Sequence, residues 1–292
     1  MPGHDNWKGC GVWIPGLATL ARDDNNSDRA IHEAETHVTI NLRERLSRGE
    51  TLTGIIDFIG APMVIEIIAR AGIDFVIIDM EHSPMDMDRL AHLIRAADAA
   101  ALAPLVRVPD VEPGLIKRVL NLAAAGIVIP HGTRQRCEAL VRAARYAPEG
   151  ERGACPVVRA TGYWPADWNA YAAKANRDVM LLPLIEDASA IEEIESIAAL
   201  PGIDGLFVGP YDLSVSVGAP GADFDHPAMS AALDQVSAAC RAHGKALVTT
   251  IGDRQERDYT LRLGARGVQG MVFATDALVL LQALKRMVDF TK

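Results

Sequence analysis

The chain is predicted to fold as an α/β protein, a single (β/α)8 TIM barrel behind an N-terminal extension, and three observations lead there. Eight short apolar runs alternate with eight helical patterns over about 240 residues, the repeat that a closed parallel barrel requires. No Gly-rich phosphate turn follows the first run, which argues against an open doubly wound sheet with a dinucleotide crevice. Polar and ionisable side chains gather just after the runs, where the mouth of a barrel would lie.

Taken in order, residues 1–40 are expected to form the extension and residues 41–292 the barrel domain. The extension is polar, with Trp7, Trp13 and Pro15 followed by an acidic, amide-rich stretch over 22–28. Gly11–Ala21 is broken by Pro15 and preceded by nearly balanced charge, so it reads as an arm, loose or packed on a neighbouring subunit, rather than as a secretory signal. Ile31, Ala34, Val38, Leu42 and Leu46 mark an amphipathic helix, with a break expected near Thr39–Asn41. Apolar, β-branched runs bounded by turn residues predict strands at Thr53–Phe58, Asp74–Asp79, Pro104–Val108, Gly126–Pro130, Val179–Ile185, Asp204–Gly209, Ala246–Thr250 and Gly267–Phe273. Helical periodicity, opened at three places by Pro, predicts helices at Pro62–Ala71, Met87–Ala100, Pro113–Ala124, Arg134–Arg145, Ala188–Leu200, Pro227–His243, Arg254–Leu263 and Asp276–Val288. The gap Tyr146–Asp178 is expected to be a long functional loop.

With 292 residues, 49% hydrophobic and 23% charged, the chain has an ordinary globular composition. No apolar run approaches the roughly 18 residues that a membrane-spanning helix needs. A net charge of −9 offers no basic field for nucleic acid or an anionic membrane. Cys10, Cys137, Cys155 and Cys240 are scattered without metal-type spacing, which fits a reducing, cytoplasmic setting.

The predicted strand ends carry the chemistry. The second run, Phe75–Ile78, passes into Asp79, Met80, Glu81, His82 and Ser83 before Pro84 stops it. Three ionisable groups within four residues at the end of a buried strand read as an active-site lip, with His82 the general base because imidazole titrates near neutral pH. A polar strand-to-helix turn is the plainer reading. Strand three carries Arg107, strand four ends at His131, which reads mainly as a turn histidine, strand five at Glu186 and Asp187, and strand six runs into Gly209, Pro210, Tyr211 and Asp212. Of the lysines (Lys8, Lys117, Lys174, Lys245, Lys285 and Lys292) none closes a strand at its carboxyl end, so a Schiff-base mechanism is set aside.

Several motifs carry a family resemblance. Gly72-x-Asp74-Phe75-x-x-x-Asp79-x-Glu81-His82-Ser83-Pro84 is followed by Val106-Arg107-Val108-Pro109, Glu112-Pro113 and Ile116-Lys117-Arg118. Arg145-Tyr146-x-Pro148-Glu149-Gly150-x-Arg152-Gly153, Ile185-Glu186, Gly202-x-Asp204-Gly205-x-Phe207-x-Gly209-Pro210-x-Asp212-Leu213-Ser214 and His226-Pro227 complete the set. From about Asn41 onward the chain resembles the HpcH/HpaI aldolases, class II enzymes that act on 4-hydroxy-2-oxo acids, including 2-dehydro-3-deoxyglucarate. The resemblance implies a (β/α)8 barrel, commonly a homohexamer built from dimers, with a divalent metal ion (Mg²⁺, Mn²⁺ or Co²⁺) as cofactor. It implies Glu186 and Asp212 as metal ligands, His82 as base, Arg107 as the stabiliser of the developing enolate, and the Tyr211 backbone beside Asp212 as a contact for the substrate carboxylate. The products would be pyruvate and an aldehyde.

Several positions depart from the family pattern, among them His131-Gly132, Val248-Thr249-Thr250 and two that bear directly on the chemistry. Leu184 stands where many members carry a Gln that meets the substrate, and Asn121 where many carry an Asp that supports the catalytic His. Asp79, three residues from His82, is the rival source of that support. Decarboxylation or condensation through the same enolate, or a barrel that binds a 2-oxo acid without turning it over, are the alternatives. Keeping His82, Arg107, Glu186 and Asp212 together argues against the last.

Overall fold

A computed structural model describes residues 41–252, 254 and 256–290. Eight parallel strands close in chain order: β1 (Leu52–Asp57), β2 (Phe75–Asp79), β3 (Ala103–Arg107), β4 (Gly126–Ile129), β5 (Met180–Ile185), β6 (Gly205–Val208), β7 (Ala246–Gly252) and β8 (Gly270–Thr275). Each overlaps its predicted counterpart. Two-residue periodicity sorts the side chains into layers. Leu52, Ile56, Phe75, Ile77, Leu105, Val128, Leu182, Phe207 and Val248 fill the interior, while Val76, Ile78, Val106, Ile127 and Leu181 face the surrounding helices. The filling is tight at Gly54, where an added Cβ would lie 2.3 Å from the Phe75 ring.

The helices are α1 (Leu42–Ser47), α2 (Pro62–Arg70), α3 (Met87–Ala99), α4 (Pro113–Asn121), α5 (Arg134–Ala144), α6 (Trp168–Asp178), α7 (Ala188–Glu192), α8 (Ile194–Ala198), α9 (Pro210–Ser216), α10 (Pro227–His243), α11 (Arg257–Ala265) and α12 (Asp276–Asp289). Helix α1 sends Leu42 and Leu46 into the interior cluster and stoppers the amino-terminal end of the barrel. The predicted Ile31–Leu46 helix is met only by this short piece; the rest of it, with the expected extension, lies outside the described residues.

Three expectations need correction. The Tyr146–Asp178 gap is not all loop, because α6 occupies its second half and stacks Trp168 and Tyr171 against Tyr146 at centroid distances of 5.2 and 6.2 Å. The Ala188–Leu200 helix is two short helices that meet at Glu193. Helix α9 was not predicted at all. The last helix, α12, buries only Asp276, and Leu280, Leu281, Leu284 and Met287 remain about half exposed or more.

Candidate active site

The carboxyl ends of β2 and β3 are bonded to each other. Asp79 and Arg107 are register partners across the parallel pair, and Arg107 Nε donates to Asp79 Oδ1 at 2.6 Å. Asp79, fully buried, also accepts from the backbone N–H groups of Glu81 (3.2 Å) and His82 (2.9 Å), and so fixes the turn that presents both residues. The Ser83 hydroxyl donates to the Asp79 carbonyl and closes the same turn. Arg107 Nε lies 3.3 Å from Glu81 Oε2, an oxygen that is buried and otherwise accepts no hydrogen bond. The His82 ring is more than half exposed, with Nε2 3.6 Å from Glu81 Oε2. Glu81 is therefore the carboxylate nearest the His82 ring, while Asp79 holds its backbone.

A second cluster forms at the ends of β4, β5 and β6. Glu186 is 3% exposed and accepts the His131 N–H at 2.7 Å. His131 has φ of 51°, rare for a residue with a Cβ, and its neighbour Gly132 shows why the turn is so tight. A Cβ on Gly132 would lie 2.7 Å from Pro183 and 2.8 Å from the Leu184 carbonyl, which accepts the Gly132 N–H. His131 Nδ1 lies 2.9 Å from Asp187 Oδ2 and 3.5 Å from Glu186 Oε1. That contact with Asp187, with the charges of Glu186 and Glu81 behind it, raises the imidazole pKa against the opposing effect of burial.

Burial pushes the Glu186 carboxyl up to about 7; His131 opposes this, and the charges of Asp212 and Glu81 add to it. Asp212 is exposed in the first turn of α9, after Gly209. A Cβ on Gly209 would sit 3.1 Å from Glu186 Oε2, so glycine leaves room for that carboxylate. Tyr211 points outward, 74% exposed, and Leu184 gives the site an apolar floor.

The rim continues to β1. Asp57 is fully buried, accepts the Gly60 N–H at 3.1 Å and faces the carboxyl of Asp276, which itself accepts the N–H groups of Phe58 (2.8 Å) and Ile59 (3.2 Å). Burial first and Asp276 second push Asp57 up to about 7.

The structure thus brings Asp79, His82, Arg107, Leu184, Glu186, Tyr211 and Asp212 to one end of the barrel. Asn121 is not among them. It ends α4, the helix that runs back from the carboxyl end of β3, and its Oδ1 accepts from Arg152 Nη2 at 3.1 Å. Within one chain it cannot orient His82, because a helix antiparallel to its strand carries its last residue to the far side of the barrel. Glu81 and His131, by contrast, were given no role at the sequence level. Their position at strand ends was the available signal, and their charges act on Glu186 together with that of Asp212.

The donor set fits a hard divalent cation. A buried carboxylate crowded by two others, and a Glu81 oxygen without a hydrogen bond, are groups that a cation would stabilise. Among the described residues no three His, Cys, Asp or Glu side chains stand close enough to hold a metal by themselves. A cation held by Glu186 and Asp212 would complete its shell with water and substrate.

Comparison with known proteins agrees with this geometry. Residues 59–277 match the family model described as HpcH/HpaI aldolase/citrate lyase. The hydroxypyruvate/pyruvate aldolase of Paraburkholderia phytofirmans is 35% identical over 256 residues, which cover 84% of this chain and 95% of that one. The crystal structure of an HpcH/HpaI aldolase from Desulfitobacterium hafniense superposes with a TM-score of 0.81 at 28% identity, over 86% of this chain and 96% of that one. The citrate synthase SbnG gives a TM-score of 0.77 at 32% identity, over 86% and 97%. With its strand ends, its motifs and most of its length in agreement, the chain belongs to the HpcH/HpaI aldolase/citrate lyase family and is an enzyme of the aldolase and lyase type.

Proposed function

We propose that this enzyme reversibly cleaves a 4-hydroxy-2-oxo acid to pyruvate and an aldehyde. The observation that carries the reading is the buried Glu186, held near pKa 7 beside Asp212 and Glu81, across the barrel mouth from Arg107. Glu186 and Asp212 would hold Mg²⁺, Mn²⁺ or Co²⁺, which supplies Lewis-acid charge where the 2-keto oxygen becomes an enolate. His82, exposed at the mouth, takes the proton of the 4-hydroxyl. As the C3–C4 bond breaks, C4 leaves as the aldehyde and the electron pair passes to the C2 oxygen. Protonation at C3 then gives pyruvate. Arg107 is anchored through Nε by Asp79 and Glu81, which leaves its terminal nitrogens aimed by a fixed side chain, and it meets the developing negative charge without reorganising. Asp79 is a positioning residue that sets Arg107 and the His82 backbone together. The N–H of Tyr211, in the first turn of α9, contacts the substrate carboxylate.

Condensation of the same enolate onto another acceptor is the second reading. It is favoured by the 32% identity to a citrate synthase and by Leu184, which offers the substrate no polar contact. A homo-oligomer, a hexamer by resemblance, is supported by the exposed apolar face of α12. A cytoplasmic location is supported by the unpaired Cys137, Cys155 and Cys240, and no described helix is long and apolar enough to cross a membrane.

The test is exchange of the pyruvate methyl protons with deuterium, followed by NMR, together with cleavage assays over a series of 4-hydroxy-2-oxo acids. Both activities should vanish on exhaustive chelation and return with Mg²⁺, Mn²⁺ or Co²⁺. Turnover that survives chelation, with borohydride trapping of substrate on the protein, would overturn the proposal.

A further inference from the structure

Outside the barrel mouth, one cavity brings together cations that nothing in the proposed reaction uses. It is a cleft of about 440 Å³ between α4 and α5, lined among others by Lys117, Arg142, Glu151 and Arg152. The chain builds it by folding back on itself after α5. The N–H of Glu151 donates to the Arg142 carbonyl at 2.7 Å and the N–H of Arg152 to the Arg145 carbonyl at 2.8 Å. Gly150 makes this return possible, since a Cβ there would lie 2.5 Å from the Arg145 carbonyl oxygen.

The return carries Arg152 inward, where it is 6% exposed. A guanidinium so buried normally has a carboxylate beside it, because an unpaired charge in the interior is costly. Here its partners are neutral. Nη2 donates to Asn121 Oδ1 at 3.1 Å, the cation lies 4.5 Å from the centroid of the Tyr146 ring, and Nε is buried without a hydrogen bond. Burial lowers its pKa, and the neighbouring Arg145 lowers it further. Lys117 and Arg142 are exposed at the opening, and among the described residues neither makes an ion pair. Glu151 is the one carboxylate lining the cleft, so its walls carry an excess of two positive charges.

We propose that this cleft is a binding site for a small phosphate-type dianion, free or carried on a metabolite, with Arg152 as its buried anchor and Lys117 and Arg142 closing over it. A phosphate places two charges in one compact group, matches the Arg fork, and supplies the counter-charge that Asn121 does not. The site is separate from the barrel mouth: none of His82, Arg107, Glu186 or Asp212 lines it.

Titration calorimetry of the full chain with its divalent cation tests this, with inorganic phosphate and glycerol 1-phosphate as separate probes at constant ionic strength. Saturable binding of one or both is expected, and the tighter probe identifies the source of the phosphate group. Lys117→Gln combined with Arg142→Gln should weaken binding about tenfold or more while aldol turnover is unchanged, the loss expected for two charge-assisted contacts. Asn121→Asp, which places a carboxylate beside Arg152, should weaken it as well. Absence of saturable binding at millimolar probe, or equal affinity in the wild type and the double variant, would overturn the proposal.

Discussion

Asp204 at the amino-terminal end of the barrel and Glu186 at the carboxyl-terminal end are buried carboxylates with opposite surroundings. At the amino-terminal end Asp204, its side chain fully buried, accepts from Arg145 Nη2 at 2.8 Å and from the Leu181 N–H at 2.8 Å, and Arg43 Nε lies 3.0 Å from its other oxygen. Arg145 also donates through its two terminal nitrogens to the carbonyls of Asn176, Val179 and Gly202 at 2.6–2.8 Å, while its Nε is left without a hydrogen bond. Burial still raises the Asp204 pKa, but two guanidiniums oppose it. At the carboxyl-terminal end Glu186 and Asp57 are each pushed up to about 7, and among the charges acting on them are other carboxylates. Buried charge set against opposite charge holds structure, whereas buried charge crowded by like charge is the arrangement found at working sites. The contrast sets Glu186 and Asp57 apart from the paired Asp79 at the same mouth and from Asp204 at the other end.

Three substitutions sharpen the contrast, the largest effect first. Glu186→Gln should cost roughly 10³-fold or more in kcat/KM, since it removes a ligand for the charge that stabilises the enolate. The same change should make the metal-free protein more stable at pH 8 by about 3 kcal/mol, because the raised pKa means the folded state prefers the protonated acid. That preference is fully felt below pH 4.5 and is lost as pH rises through about 7, so the gain should fade in urea melts at low pH. A variant that is inactive but no more stable would break the reading of Glu186 as strained.

Asp204→Asn should do the reverse. Leaving Arg145 buried without its partner should cost about 3–5 kcal/mol in urea unfolding, while activity per folded molecule is kept. Asp57→Asn should act on the pH dependence of stability. The folded carboxyl is raised from 3.8 to about 7, so wild-type stability falls across that window as pH rises, and the amide should flatten the slope. At pH 8 the variant should be the more stable by a few kcal/mol, and near pH 4 the two should unfold alike.

Most of the barrel was legible because buried parallel strands leave apolar runs that no surface element imitates. What was missed has identifiable causes. Helix α9 has seven residues, too few for a helical period to appear. Helix α6 buries Ala172 and Asn176 and stacks its aromatics on Tyr146, so its pattern does not read as a barrel-facing stripe. At the site, residue identities were readable from strand ends but pairings were not. The bond from His131 to Glu186 spans 55 positions and depends on a left-handed backbone at His131, for which a non-glycine residue leaves no sequence signal. Asn121 is a related case: a motif tells which residue stands at a helix end, and only the course of the helix tells which end of its own barrel that is.

The stopper formed by Leu42 and Leu46 beneath the packed interior has a consequence for traffic. With side chains filling the barrel from Leu52 and Phe75 upward, the described residues leave no passage through it, and the mouth serves as both entrance and exit. In the proposed reaction two products would share that one exit. A shared exit makes departure of one product a condition for departure of the other, whichever aldehyde the enzyme handles.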